Sequence, residues 1–344
     1  MVSLYGGNID VKGRICMEKS ATTYMGLELK NPIIIGSSPL TSTLDGLKKC
    51  EDAGAGAVVV KSIFEEQIDS QSAQMIKQSS GYTAHADGKD FIEESSRNFY
   101  IDNYLTLIEK ATDALDIPVI ASVNCRSLGS WVDYVDRFSA IGADALEINQ
   151  YILPSNMKTS SEEIESEYIE VVSSLRNKTT LPISLKIGPH FSSLAYMIKK
   201  FDDMNINGFV LFNRFYQPDI DIKKMELKPK VNFSNSNDYG QALQWSALLS
   251  AYLNGDICAS NGIHDGQALI KLLLSGAKAV QIVTAVLKQG LPVIGEMLKV
   301  LDNWMDENNY SSFVDFRGLL AHKRLDQPAV WERSQYMKSL NVEF

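Results

Sequence analysis

Short apolar segments alternate with longer helix-like segments along most of the chain. The apolar segments are nearly continuous rather than alternating, which is typical of parallel strands that are buried on both faces. Eight predicted strands lie at 32–38, 57–63, 117–124, 144–149, 181–187, 208–213, 256–261 and 278–283. Helices are predicted between them at 43–53, 99–115, 130–141, 161–177, 193–204, 265–275 and 291–306. Eight strands separated by helices favour a closed (β/α)8 TIM barrel over an open doubly wound sheet.

Two connections are too long for plain barrel loops. The first follows strand 2 and runs over 65–98, and the second follows strand 6 and runs over 214–255, with a helix-like stretch at 239–252. Both leave the carboxyl end of a strand, which is the face where barrel enzymes build their active sites. They are therefore expected to be lids or substrate clamps. The alternative is that they are surface loops outside the active site or that they form a dimer contact.

The length of 344 residues exceeds one plain barrel and leaves segments at both ends. We expect an N-terminal extension over 1–19, disordered or vector-derived in part, a (β/α)8 barrel over 20–310, and a C-terminal segment over 311–344 that packs on the barrel. The formal net charge of −9 and the lack of a dense Lys/Arg run argue against nucleic-acid binding. No signal peptide or membrane-length apolar run is visible, which predicts a cytoplasmic protein. The four cysteines and four histidines lack metal-ligand spacing, so no metal is expected.

Polar residues end six of the predicted strands. Because the carboxyl ends of barrel strands share one rim, these side chains are expected to face one site. The six are Ser37, Lys61, Asn124, Asn149, Lys186 and Asn213. A set of lysines and asparagines is rich in hydrogen-bond donors and suits an electron-rich heterocycle with an anionic group. The two lysines are the strongest evidence for a ligand site, because an unpaired ammonium at the top of a packed barrel costs several kcal/mol.

The last two strands carry a second signal. ASNGI at 259–263 precedes a helix, and QIVTAV at 281–286 contains a small-residue turn. Loops after strands 7 and 8 of many barrels hold a phosphate with backbone N–H groups. Gly262 allows a close backbone approach, and Thr284 adds a hydroxyl. These residues predict a phosphate site.

These segments resemble the dihydroorotate dehydrogenase family over about 20–305. The similar segments are GLELKNPIIIGSSPLT, VVVKSI, LEIN, SLKIGPHF and SNGIHDGQALIKLLLSGAKAVQIVTAVLKQG. The resemblance implies FMN as cofactor, hydride transfer from dihydroorotate to flavin N5, an external electron acceptor and a homodimer. It implies flavin contacts for Ser37, Lys61, Asn149 and Lys186, and substrate contacts for Asn149 and Asn213. Lys61 would lie beside both the flavin and the substrate, and it is the catalytic candidate. Asn261, Gly262, Thr284 and Ala285 would contact the phosphate, and Asn124 joins the cofactor-binding candidates from the rim.

One segment departs from the family. Where the family has a Cys or Ser general base, this chain reads Asn-Gln-Tyr-Ile-Leu-Pro-Ser-Asn over 149–156, and neither Ile152 nor Leu153 can accept a proton. Ser155 is a weak candidate for the base, and Tyr151 is a second one. The family's loop after strand 2 is also unrecognisable, and only Asn98 and Asn103 offer similar chemistry there. The departures favour a second hypothesis, an FMN barrel that acts on another dihydropyrimidine-like or enone substrate. A flavin-free barrel with a Schiff-base lysine and a non-catalytic binding protein are further alternatives.

Overall fold

The computed structural model describes residues 18–65, 86–124, 135, 137–214, 217–228 and 233–332, with side chains left out at 86–97. Its strands are β1 Thr22–Tyr24, β2 Leu27–Leu29, β3 Ile33–Ile35, β4 Ala57–Val59, β5 Ile63–Phe64, β6 Val119–Asn124, β7 Ala145–Asn149, β8 Ile183–Ile187, β9 Gly208–Leu211, β10 Asp219–Asp221, β11 Glu226–Lys228, β12 Asp256–Ser260 and β13 Ala279–Ile282. Its α-helices are α1 Leu44–Asp52, α2 Ala86–Ala114, α3 Ser161–Lys178, α4 Leu194–Asp203, α5 Gly240–Leu249, α6 Gly266–Leu274, α7 Thr284–Gln289, α8 Val293–Glu307, α9 Phe313–Phe316 and α10 Ala329–Glu332. Short 3-10 turns lie at Glu18–Ser20, Pro39–Ser42 and His322–Arg324.

Eight parallel strands close into a barrel. Their order around it is β3, β4, β6, β7, β8, β9, β12 and β13, and β13 pairs again with β3. Each strand coincides with one of the apolar segments, so the predicted TIM barrel is confirmed. The strands form where a continuous apolar run can be buried both by the barrel interior and by the helices outside.

The amino-terminal end of the barrel is filled by an apolar floor. The β1–β2 hairpin inserts Tyr24 and Met25 beneath the strands, where both are buried. Gly208 makes room for them, because a Cβ there would lie 2.7 Å from the Tyr24 hydroxyl. Burial raises the pKa of Tyr24 well above its ordinary value. This packing closes the barrel interior at its amino-terminal end.

Helix ends follow the predicted signals in the described part of the chain. The Thr43 side chain accepts a hydrogen bond from Gly46 N at 3.2 Å, and Asp265 accepts one from Ala268 N at 2.8 Å. Gly54 and Gly276 take the left-handed conformation expected after a helix, with φ values of 99° and 111°.

Several predicted elements need correction. The connection after strand 2 is shorter than 65–98, because α2 begins at Ala86 rather than at 99. The connection after strand 6 contains the unpredicted β10–β11 hairpin before α5. Half of the predicted helix at 130–141 lies outside the described residues, and 135 and 137–140 are helical.

The chain ends make contacts with the barrel. Most of the predicted extension, 1–17, lies outside the described residues, whereas Lys19 forms an ion pair with Asp306 of α8. In the C-terminal segment, Leu320 N donates to Leu274 O at 3.0 Å, and the Trp331 indole donates to Leu320 O at 2.9 Å.

Candidate active site

Lys61 and Asn124 present polar side chains at the mouth that have no hydrogen-bond partner among the described residues. Lys61 follows β4, where its backbone N–H donates to Thr41 O at 3.1 Å, and Asn124 ends β6. Both side chains are half-buried. A half-buried ammonium and a half-buried amide without partners retain their donors for a ligand.

Asn149 and Asn213 meet across the mouth. Asn149 ends β7, and Asn213 follows β9, where its N–H donates to Ile187 O at 2.8 Å. The Asn213 Nδ2 donates to the Asn149 Oδ1 at 2.6 Å. The pair leaves the Asn149 Nδ2 and the Asn213 Oδ1 for a ligand, one donor and one acceptor. A ring amide in a heterocycle presents one C=O acceptor and one N–H donor along its edge, so it can pair with both of these groups.

Lys186 lies deeper than the sequence predicts. It precedes the last residue of β8, and its ammonium lies 2.8 Å from Gln281 Oε1 and 3.4 Å from Glu147 Oε1. Lys186 is therefore not an unpaired ammonium, because two buried side chains compensate its charge. An ammonium has three donors and these contacts use two, so one N–H remains for a ligand above it.

Ser37 belongs to a chain of hydroxyl groups at the mouth. Its Oγ accepts from Ser62 N at 2.8 Å and lies 3.0 Å from Ser62 Oγ, which lies 2.7 Å from Ser122 Oγ. Tyr104 joins the chain, since its hydroxyl donates to Ser122 O at 2.8 Å. These bonds fix the ends of three neighbouring strands. Ser62 and Ser122 were not predicted, because only Lys61 and Asn124 were considered in their strands.

The predicted phosphate residues lie around a backbone turn at the ends of β12 and β13. Asn261 and Gly262 both have positive φ, 77° and 71°, and the Asn261 Nδ2 donates to Phe212 O at 2.8 Å. The close approach predicted for Gly262 involves the chain itself, because a Cβ there would overlap the backbone of Asp238 and Tyr239.

Thr284 and Ala285 begin α7 beside this turn. The Thr284 Oγ1 accepts from Ser234 N at 3.3 Å, so the hydroxyl hydrogen stays available to an anion. Ser234 is buried, its Oγ lies 2.9 Å from His264 Nε2, and its carbonyl accepts from Lys288 Nζ at 3.0 Å. Burial and the nearby Lys288 ammonium lower the pKa of His264. Sequence analysis missed Ser234, which lies far from both strands in the chain.

A cavity of about 420 Å³ lies beside Asn213 and Asn261. Arg214 lines it and donates to Asp238 Oδ2 at 2.6 Å. Burial alone would raise the pKa of Asp238, but the hydrogen bonds from Asn235 N and Arg214 bring it below its ordinary value. The ionised pair makes one wall of the cavity polar.

The segment that would supply a general base is open to solvent. Ser155 is exposed, and its N–H donates to Leu153 O at 2.7 Å. No described residue contacts the Ser155 hydroxyl as a base. Burial raises the pKa of Tyr151, which disfavours the phenolate that could accept a proton. The other substitutes, Asn98 and Asn103, are exposed on α2.

A closed barrel with a polar, cationic mouth at its carboxyl end defines a TIM-barrel enzyme that binds its ligand there. A family model described as dihydroorotate dehydrogenase matches residues 19–305, and the chain belongs to that family. It is therefore an oxidoreductase that acts on a CH–CH group, as the sequence predicted, and this disfavours the Schiff-base alternative.

Curated relatives are distant but span most of the chain. The chain is 25% identical to the dihydroorotate dehydrogenase B (NAD(+)) catalytic subunit of Thermoplasma acidophilum, over 88% of this chain and 99% of that protein. It is 23% identical to the chloroplastic dihydropyrimidine dehydrogenase (NADP(+)) of Arabidopsis thaliana, over 87% and 76%. It is 22% identical to the NAD-dependent dihydropyrimidine dehydrogenase subunit PreA of Escherichia coli K12, over 86% and 75%.

No helix in the described parts of the chain has the length and apolar character needed to cross a membrane.

Proposed function

We propose that this chain is an FMN-dependent dehydrogenase that oxidises dihydroorotate to orotate, a step of pyrimidine biosynthesis. The observation that carries the proposal is the Asn149–Asn213 pair at the mouth, with its hydrogen bond of 2.6 Å, above the Lys186 ammonium. The amide pair suits a dihydropyrimidine ring, and the ammonium suits the electron-rich edge of a flavin. Family membership supports the same chemistry.

The described residues fit FMN at both ends. Lys186 keeps one N–H for the flavin's pyrimidine edge. Gly36 packs closely beside this network, since a Cβ there would lie 2.9 Å from the Val283 side chain and 3.2 Å from Gln281 Oε1. Asn261, Gly262, Thr284 and Ala285 would hold the phosphate, with the Thr284 hydroxyl as a donor. Bound FMN would supply the electron acceptor for the substrate.

The residues of the chain would orient the substrate and stabilise its charge. Asn149 and Asn213 would bind the ring amide, while the Lys61 ammonium, which has no partner among the described residues, would bind the carboxylate. Ser37 and Asn124 would border the flavin from the ends of β3 and β6. The Ser62 and Ser122 hydroxyls, which are hydrogen-bonded to each other, would form a fixed polar edge beside the flavin. Ser37 and Tyr104 hold them in place.

The decisive experiment is anaerobic titration. The purified protein should carry FMN, or take it up, and dihydroorotate should bleach the flavin absorbance. A protein that stays colourless after incubation with FMN would contradict the cofactor. A flavoprotein that dihydroorotate leaves oxidised would contradict the substrate alone.

The names of two relatives favour a second candidate substrate, and the segment after Asn149 does not single out dihydroorotate. Ser155 is exposed and the pKa of Tyr151 is raised, so neither has the environment of a base for the C5 proton of dihydroorotate. Two of the relatives above are named dihydropyrimidine dehydrogenases. Another dihydropyrimidine, with 5,6-dihydrouracil as the first probe, is therefore the alternative, and flavin reduction by that compound but not by dihydroorotate would support it.

Two variants test the base. If Ser155 is the base, Ser155→Ala should slow flavin reduction by dihydroorotate about 100- to 10,000-fold, the usual effect of a lost general base. Tyr151→Phe tests the phenol in the same way. A rate unchanged in both variants would remove both candidates and show that another group takes the proton.

The electrons would then pass to an external acceptor. Relatives from Thermoplasma acidophilum and Escherichia coli carry names that describe subunits, which supports a separate acceptor protein. We further propose that the protein acts in the cytoplasm as a homodimer.

A further inference from the structure

Glu147 is a buried carboxylate inside the barrel, and none of the roles assigned above uses it. It lies on β7 two residues before Asn149, so both side chains point toward the barrel axis. Only 1% of it is exposed. Gln281 reaches it from β13, which lies opposite β7 in the eight-stranded order, and donates its Nε2 proton to the Glu147 Oε2. The contact therefore crosses the barrel.

Glu147, Lys186 and Gln281 form one network beneath the mouth. Lys186 Nζ donates to Gln281 Oε1 at 2.8 Å and lies 3.4 Å from Glu147 Oε1. Gln281 thus bonds to both charged groups with its two amide ends. Since Tyr24 and Met25 close the floor below, the 11% of the Lys186 side chain that stays exposed faces the mouth.

The carboxylate weakens the field that the ammonium projects upward. Two opposite charges about 4 Å apart interact strongly near a protein surface, and more strongly where the surroundings are dry. A ligand above Lys186 therefore meets a compensated cation. Without the carboxylate it would meet a full positive charge, which would favour any group that becomes negative there.

We propose that Glu147 is a positioning residue for Lys186 and sets how strongly this ammonium attracts the flavin. Gln281 holds the carboxylate and the ammonium in place. The inference rests on the proposed function, because it takes the ligand above Lys186 to be FMN. It goes beyond that function because it assigns the reduction potential of the flavin to a carboxylate that does not touch it. Removing the carboxylate should raise the potential.

The test compares the FMN-loaded wild type with Glu147→Gln, which keeps the shape and removes the charge. The midpoint potential is measured against a reference dye. Sulfite affinity is measured by reversible bleaching of the oxidised flavin, because positive charge at the pyrimidine edge favours sulfite binding. Glu147→Gln should raise the potential and tighten sulfite binding at least about tenfold, a modest part of the charge interaction above.

Three further variants separate charge from packing. Glu147→Asp keeps the charge and should stay closer to the wild type than Glu147→Gln does. Gln281→Glu adds a second carboxylate beside Lys186 and should weaken sulfite binding, which also tests the inference if Glu147→Gln fails to fold. Ser184→Ala is the matched control, because Ser184 is an uncharged side chain buried on β8, where its hydroxyl donates to Leu146 O at 3.3 Å.

The outcomes distinguish the two proposals. A wild type that takes up no FMN overturns the proposed function and this inference with it. A flavoprotein in which Glu147→Gln leaves both sulfite affinity and potential unchanged overturns this inference alone. The same is true if Ser184→Ala produces an equal shift, because the effect would then follow from disturbed packing.

Discussion

Lys61 is the cation at the mouth to which the protein gives no partner among its described residues. Lys61→Met should therefore not lower the free energy of unfolding, because it removes a half-buried ammonium whose loss of hydration no described residue compensates. Flavin reduction by dihydroorotate should fall about 10- to 100-fold at subsaturating substrate, because hydrogen bonds to charged groups contribute about 1.5–3 kcal/mol. Anaerobic stopped-flow spectrophotometry measures the rate.

Lys158 offers the control for this substitution. It is exposed in the loop between β7 and α3, and Lys158→Met should leave the reduction rate unchanged. Equal losses in the two variants, or a normal rate in Lys61→Met, would contradict a substrate contact for Lys61.

His264 makes the stability of the phosphate region depend on pH. Burial and Lys288 hold its pKa below 6.5 in the folded protein. Below pH 6.5 the unfolded chain therefore binds more protons than the folded one at this site, and stability is lost as pH falls through the folded pKa. His264→Gln should flatten this part of the dependence of the melting temperature on pH. Identical pH profiles for the variant and the wild type would exclude His264 as the cause.

Glu147 shows which site residues sequence analysis can miss. It lies within the apolar run DALEIN, where only the last residue, Asn149, was considered. Alternation along a strand places Glu147 on the same side as Asn149, and this signal was present in the sequence. Its partner Gln281 was not predictable in this way, because their contact depends on barrel closure, which brings β7 and β13 face to face.

Glycine at the turn after β12 allows two backbone segments to meet. Gly262→Ala would place a Cβ against the backbone of Asp238 and Tyr239, at a φ of 71° that alanine adopts at a cost of about 1–2 kcal/mol. The variant should lose at least that much stability by thermal unfolding, together with affinity for FMN.

Gly295 provides the opposite case for comparison. It lies in α8, and a Cβ at this position would meet nothing within 4 Å, so Gly295→Ala should stabilise the helix by up to about 1 kcal/mol. A Gly262→Ala protein as stable as the wild type would contradict the close approach after β12.

The strands that are buried on both faces were the elements that the sequence predicted. All eight barrel strands could be predicted because burial on two faces demands a continuous apolar run. The β10–β11 hairpin was missed because its strands are three residues long and alternate apolar with charged positions, as in Asp219–Asp221. The start of α2 was missed because its first turns lie in a polar sequence that resembled a loop.

At the scale of the whole molecule, the barrel divides its chemistry between two ends. Tyr24 closes the amino-terminal end with apolar packing, whereas the carboxyl end holds the buried charges and the unpartnered donors. The extra elements after strand 6 also rise from the carboxyl end. The apolar side chains of the β10–β11 hairpin therefore lie on the same side of the molecule as the proposed site.

This hairpin is where we expect a second copy of the chain to bind. Ile222 and Met225 are each 85% exposed, and Ile220 and Leu227 are also exposed, although a two-stranded hairpin is marginal in water on its own. Dimerisation would cover these side chains and support the hairpin. Ile222→Asp should weaken the dimer at least about tenfold, which sedimentation velocity measures, because a charge replaces apolar contact area.

Val314→Asp, at an exposed apolar position on α9, is the control and should leave the dimer intact. A wild type that remains monomeric at high concentration, or a dimer that Ile222→Asp does not weaken, would contradict this interface.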